Sequence, residues 1–349
     1  MRNELKSGEV KETRDANKGY EDRLAKMISG GIYNAISCVE NESLRTQLRY
    51  CMEPPGHLYR SKMALMITDA LNGNPKSAIP FGLSLEFIQT FSLIHDDIMD
   101  RSDLRRGKPT AYKEYGLNSA ILLGDAFFAM AFEAVDRLET PDGRKEKLAD
   151  LLARSTFQLA DGQMMDIGLE GSTTLPSVGD YMKMIGLKTA SLFSVAAEGA
   201  GVIAGVSPST RKDLREFGRL IGLSYQIKDD IEDLRDGIRN EVGRNVLVID
   251  AFVLLDDKKS FRLMEVLRRG EKSSKAEIDE VYDFIIDSGA PEKAERRIVK
   301  CTERAKDIAL SLPCKAGRQR LVTFIDKVFP FQAKDDEDES EEYGVLDEI

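Results

Sequence analysis

No run of roughly 18 or more uncharged apolar residues occurs in this 349-residue chain, so a transmembrane segment is not expected. The stretch from Met1 to Arg23 is densely charged and has no apolar core, which argues against a secretory signal. Cysteine is sparse. Cys38, Cys51, Cys301 and Cys314 lack any C-x-x-C spacing, which points to free thiols in a reducing cytoplasm. Strand-like alternation is nearly absent, and no repeat of about 20–50 residues is visible, which argues against a solenoid. No basic face interleaved with aromatics exists, so nucleic acid is not an expected partner.

The net charge of −10 is a terminal property. Asp335, Asp336, Glu337, Asp338, Glu339, Glu341, Glu342, Asp347 and Glu348 fall in a stretch without a single base, and without them the rest of the chain is nearly neutral. Such like-charged blocks stay solvated, so 334–349 reads as a disordered acidic tail and 1–18 as a charged extension. Between them, 19–333 reads as one helical domain.

Helical periodicity dominates that region. Helices are expected over 21–39, 61–71, 81–100, 118–138, 142–170, 178–185, 188–204 and 209–234, with Ser209 as an N-cap. A loop is expected over 101–110, and three or four further helices over 246–328, with breaks near Gly270, Gly289 and Pro313. The fold class is therefore all-α, a large helical bundle.

Two of these helices carry acidic clusters, His95-Asp96-Asp97-Ile98-Met99-Asp100 and Gln226-Ile227-Lys228-Asp229-Asp230-Ile231-Glu232-Asp233. Each has the form D-D-x-x-D. Residues four apart share a helix face, so Asp96 stands with Asp100 and Asp229 with Asp233, a repulsive register that a cation would relieve. The flanking Leu93, Ile94, Ile98, Ile227 and Ile231 are core-type residues, unlike those of a solvated face. Carboxylates suit Mg²⁺, which shares its shell with water and substrate phosphates. The pattern predicts a central cavity in which two acidic walls grip one polyphosphate through metal.

These motifs do not stand alone. Arg105-Arg106-Gly107-Lys108-Pro109-Thr110 follows the first, and Gly124-Asp125, Gly162-Gln163-x-x-Asp166 and Lys188-Thr189 precede the second. In order and spacing, from about Glu53 to Gly243, the chain resembles the trans-polyprenyl diphosphate synthases of the short-chain type. The resemblance implies isoprenoid diphosphate substrates, about three Mg²⁺ ions per site and a homodimer. It implies ionisation of an allylic diphosphate, attack by isopentenyl diphosphate and loss of a proton to pyrophosphate.

By the same resemblance, Asp96, Asp97, Asp100, Asp229, Asp230 and Asp233 would hold metal. Arg105, Gln163, Lys188 and Lys228 would face the allylic diphosphate, and Arg60 and Arg106 the acceptor. Thr189 and Gln226 would lie near the cation, with Lys188 and Lys228 beside them. Phe91, with Ile88, would plug the product tunnel and limit the product to about C15 to C20.

Three departures touch the acceptor side. His57 stands where the family carries lysine, Gln89 where it carries histidine, and the basic stretch after the second motif is reduced to Gly243-Arg244. His57 and Gln89 retain hydrogen-bonding capacity, so they stay in the acceptor site. The departures keep alternatives in view: a class I terpene cyclase or diphosphate lyase, a non-catalytic subunit, or a helical scaffold.

Overall fold

The computed structural model describes residues 2–141, 143–169, 175–236 and 245–331; the acidic tail and Gly243-Arg244 lie outside them. In chain order the elements are α1 (Arg2–Ser37), α2 (Glu42–Met52), α3 (Tyr59–Ala70), α4 (Ile79–Met99), β1 (Leu104–Arg105), β2 (Lys108–Pro109), α5 (Ala111–Tyr115), α6 (Leu117–Asp136), α7 (Arg144–Leu169), α8 (Val178–Ile185), α9 (Ser191–Ala204), α10 (Pro208–Asp236), α11 (Val246–Leu254), α12 (Asp257–Arg269), α13 (Lys275–Asp287), α14 (Ala290–Leu310) and α15 (Lys315–Val328). A π-helical turn, Gly186–Ala190, joins α8 to α9. The fold is all-α, as expected.

The differences from the expected elements have local causes. The segment 101–110 holds a short antiparallel hairpin in which Leu104 pairs with Pro109 and Arg105 with Lys108. Its turn residues Arg106 and Gly107 both have positive φ, 53° and 77°, the backbone of a type I′ turn that matches strand twist. The N-cap of α10 is Ser207, whose Oγ accepts the Thr210 amide at 3.1 Å; Pro208 takes the first helical position and Ser209 falls inside the helix. The break between α11 and α12 comes from Asp256, whose carboxylate accepts the Lys259 amide at 3.0 Å.

Two compact units make up the chain. The first comprises Met1–Ala153, Val195–Leu214 and Leu310–Thr323. Here α4 packs chiefly on α6, with α3 and α1 beside it. Phe81, Phe87 and Phe127 are fully buried, and the Phe87 and Phe127 rings lie 5.8 Å apart. Gly124 of α6 admits the His95 ring, where a Cβ would collide with it.

Among the described residues, the second unit comprises 154–169, 175–194, 215–236, 245–309 and 324–331. A capping box at Ser177 and Asp180 starts α8, and Tyr181, Phe193 and Phe217 fill the core. Asp250 of α11 is buried and meets Arg297 of α14, with Nη2 3.0 Å from Oδ1, and Lys293 at 3.3 Å.

By length and hydropathy, Pro75–Met99, Leu117–Asp136 and Val178–Ala204 are apolar enough to cross a membrane. The apolar windows of the first and third are 61% and 78% buried inside the protein, and that of Leu117–Asp136 only 39%.

Candidate active site

The first acidic motif sits at the C-terminal end of α4. The helix stops at Met99 and Asp100 is its C-cap. Arg101 adopts φ 55°, the Ser102 amide returns to the Asp97 carbonyl at 3.0 Å and the Arg101 amide to Ile98 at 3.4 Å, a Schellman closure. Carboxylates gathered there add to the negative end of the helix dipole, which favours cations. The second motif lies on α10.

Within each motif the three aspartates divide in the same way. Asp96 and Asp229 are half-buried, Asp100 and Asp233 exposed, and Asp97 and Asp230 buried. The middle residue lies about 100° around the helix from its neighbour, which turns it toward the core. Both middle aspartates were expected to hold metal, and the structure gives them protein partners. Arg105 Nε lies 2.9 Å from each Asp97 oxygen, and its Nη2 is 2.7 Å from Oδ1. Asp230 Oδ2 accepts the Tyr181 hydroxyl at 2.6 Å and the Val246 amide at 2.7 Å, and Gln226 Nε2 donates to Oδ1 at 3.2 Å. These bonds fasten Asp97 to the hairpin and Asp230 to the start of α11.

The hairpin is itself clasped. Tyr50 of α2 donates its hydroxyl to the Pro109 carbonyl at 2.8 Å, and Lys108 Nζ sits 3.7 Å over the Tyr50 ring while bonding the Tyr50 carbonyl. Burial lowers the Lys108 pKa. Arg106 Nη1 donates to the Pro54 carbonyl at 3.0 Å, which helps hold its left-handed backbone. A cavity of about 40 Å³ is lined by Cys51, Thr90, Leu93, Asp97, Arg105 and Lys108 among others. Burial pushes the Cys51 thiol up to about 12.

The expected acceptor residues also belong to the first unit. His57 is exposed and stacks on Tyr59, with ring centroids 4.9 Å apart. Leu58, the residue before α3, has φ 54°, and Arg60 follows in the first turn of that helix. Gln89 is half-buried on α4. Ile88 is fully buried, and the Phe91 ring meets His95 edge-on at 4.8 Å and Phe128 at a tilt at 5.4 Å. Phe128 in turn meets Phe132 at 5.2 Å, which extends the aromatic row. Phe128 is 38% exposed.

In the second unit, Lys188 and Thr189 occupy the π turn, a helix irregularity often found at functional sites. Gly162 of α7 lets this turn approach, since a Cβ there would collide with the Lys188 backbone. Lys188 Nζ pairs with Asp166 at 2.5 Å, and Lys228 Nζ with Glu232 at 3.0 Å. The Thr189 hydroxyl donates to Gln226 Oε1 at 2.8 Å. Gln163 is 4% exposed, yet neither its amide nitrogen nor its oxygen finds a hydrogen-bonding partner among the described residues. A buried amide left so is costly, and a ligand would satisfy it.

No three acidic, histidine or cysteine side chains converge into a metal cage among the described residues. That donor set fits Mg²⁺, which takes one or two carboxylates and completes its shell with water and phosphate oxygens.

Known proteins match this chain along most of its length. A family model described as polyprenyl synthetase matches residues 41–299. A short chain isoprenyl diphosphate synthase of Methanothermobacter thermautotrophicus is 32% identical over 316 residues, 88% of this chain and 96% of that protein. The crystal structure of geranylgeranyl pyrophosphate synthetase from Pyrococcus horikoshii superposes with a TM-score of 0.83 at 28% identity, covering 91% of this chain and 99% of that one. A polyprenyl synthase from Caulobacter crescentus, complexed with calcium and isoprenyl diphosphate, does so at 0.77 and 25% identity, covering 90% and 97%.

Proposed function

The chain belongs to the polyprenyl synthetase family and is a prenyltransferase, and from that premise we propose that it condenses an allylic diphosphate with isopentenyl diphosphate to a trans-polyprenyl diphosphate of about C15 to C20. The observation that carries this reading is the shared division of the two acidic motifs. In each, the middle aspartate is buried and bonded within the protein, while the first is half-buried and the third exposed, where a divalent cation could reach them.

Asp96, Asp100, Asp229 and Asp233 are the carboxylates that would hold a divalent cation, about three Mg²⁺ ions per site in the family's pattern. When bound, Mg²⁺ supplies neutralisation of the charge that grows on the leaving pyrophosphate. Arg105, Lys188 and Lys228 add fixed positive charge toward the allylic diphosphate, and the unsatisfied Gln163 amide offers it a hydrogen bond. Arg60 and Arg106, with His57 and Gln89, hold the acceptor diphosphate. Thr189 and Gln226 lie beside the allylic carbon, and the apolar helices keep water from quenching the cation.

A homodimer completes the proposal. Leu117, Ile121, Leu122 and Phe128 expose 38–65% of their surface along α6, an apolar face suited to a second copy. Nothing in the comparisons favours the cyclase, the lyase or the non-catalytic subunit.

The test is direct. Purified protein is incubated with Mg²⁺ and labelled geranyl or farnesyl diphosphate, with and without isopentenyl diphosphate. Elongation only with the acceptor is the expected result. A hydrocarbon or alcohol formed without it would indicate a cyclase or lyase, and no turnover a subunit or scaffold.

A further inference from the structure

We propose that Asp230 is a positioning residue that sets which way the Thr189 hydroxyl points, and so which electrical pole this group turns toward the reacting carbon. The inference rests on the reading that Thr189 lies beside the allylic carbon as it ionises.

The direction follows from a chain of hydrogen bonds whose first member has no choice. The Val246 backbone N–H can only donate, and it donates to Asp230 Oδ2 at 2.7 Å, where the Tyr181 hydroxyl also arrives at 2.6 Å. The other oxygen, Oδ1, accepts Gln226 Nε2 at 3.2 Å. The Gln226 amide is thereby turned with its nitrogen toward Asp230 and its oxygen toward Thr189. Facing a carbonyl oxygen at 2.8 Å, the Thr189 hydroxyl must give its hydrogen inward. Its remaining capacity is acceptor only. With Asp230 2% exposed and Thr189 8% exposed, the relay works in a water-poor setting where dipoles count for more. Thr189 thus meets a developing cation with oxygen lone pairs.

The relay can be inverted without changing its shape. In Asp230→Asn, the Val246 N–H still needs an acceptor, so the new amide oxygen must take the Oδ2 place and its NH₂ must face Gln226. The Gln226 amide then turns over and donates to Thr189, whose hydrogen is driven outward toward the cation. Adding Gln226→Glu restores the original direction, because the introduced carboxylate accepts from the new amide and from Thr189 alike. The pair Asp230→Asn/Gln226→Glu keeps the total charge and nearly every atom position.

The experiment compares the unsubstituted chain, Asp230→Asn and the double variant in steady-state kinetics with geranyl and isopentenyl diphosphates. It also measures calorimetric binding, with Mg²⁺, of two probes: a diphosphate bearing a protonated amine in place of the allylic carbon, and its uncharged carbon counterpart. Asp230→Asn is expected to lower kcat by about 10²-fold, the scale of removing one transition-state hydrogen bond, with KM for the allylic diphosphate nearly unchanged. It should lose the preference for the charged probe, and the double variant should recover that preference.

Retention of kcat and of the probe preference by Asp230→Asn, or a double variant no better than the single one, would overturn the relay. If Asp230→Asn does not fold, Thr189→Ser and Thr189→Val decide. The hydroxyl variant should keep the preference for the charged probe and the valine variant should lose it; retention by valine overturns the relay. Absence of prenyl transfer by the unsubstituted chain would instead overturn the functional reading underneath.

Discussion

Arg105 holds Asp97 through two of its nitrogens: Nε stands 2.9 Å from both carboxylate oxygens and Nη2 2.7 Å from one of them. The pair ties the end of α4 to the basic hairpin, so the acidic motif and the arginines that follow it form one rigid piece. Asp97 is then a fastening residue. Asp97→Ala should destabilise the protein by about 1.5–3 kcal/mol, the worth of hydrogen bonds to a charged group. Thermal unfolding measures this, and an unchanged Tm would show that the pair contributes nothing.

A second stability prediction concerns the buried Asp250, which faces Arg297 and Lys293. Asp250→Ala leaves two cations without their common partner and should cost about 3–5 kcal/mol. Denaturant unfolding is the measurement; a loss below about 1 kcal/mol would mean that water reaches the site.

The aromatic row Phe91, Phe128 and Phe132 bears on product length. Phe91→Ala should lengthen the product, and adding Phe128→Ala should lengthen it further. Chromatography of dephosphorylated products reads this. Unchanged chain length in both variants would remove Phe91 as the plug.

Thiol chemistry should separate the cysteines. Cys38 is exposed, whereas burial pushes Cys51 up to about 12 and Cys301 up to about 11. Half-buried Cys51 and buried Cys301 both ionise above the unfolded value of about 8.5, so their contribution to stability is complete below that pH and is lost as pH rises through the folded values. In the native protein near neutral pH, a maleimide should label Cys38 first by mass spectrometry. Equal labelling of Cys51 would contradict the burial.

Much of this was legible in the sequence. The helical class followed from periodicity, and α8 falls on the expected residues. The separation of Asp97 from Asp96 and Asp100 was implicit in the helix turn angle, but its partner was not, because Arg105 returns only through a turn with two positive-φ residues. The same holds for Asp230, whose partners Tyr181 and Val246 come from distant segments. The π turn under Lys188 and Thr189 left no periodic mark, since one extra residue in a continuous apolar stretch does not disturb its composition. Ser209 does not cap α10, because Pro208 takes the first helical position and puts the cap two residues earlier, at Ser207.

The outer aspartates are the groups on which the proposed chemistry depends most directly. Calorimetric binding of inorganic pyrophosphate, with and without Mg²⁺, should be compared for the native chain, Asp96→Asn and Asp229→Asn, alongside their Tm values. Both variants are predicted to lose the Mg²⁺-dependent part of binding by about 10²-fold while keeping native Tm. Native Mg²⁺-dependent affinity in both would contradict the assignment of these carboxylates to the metal.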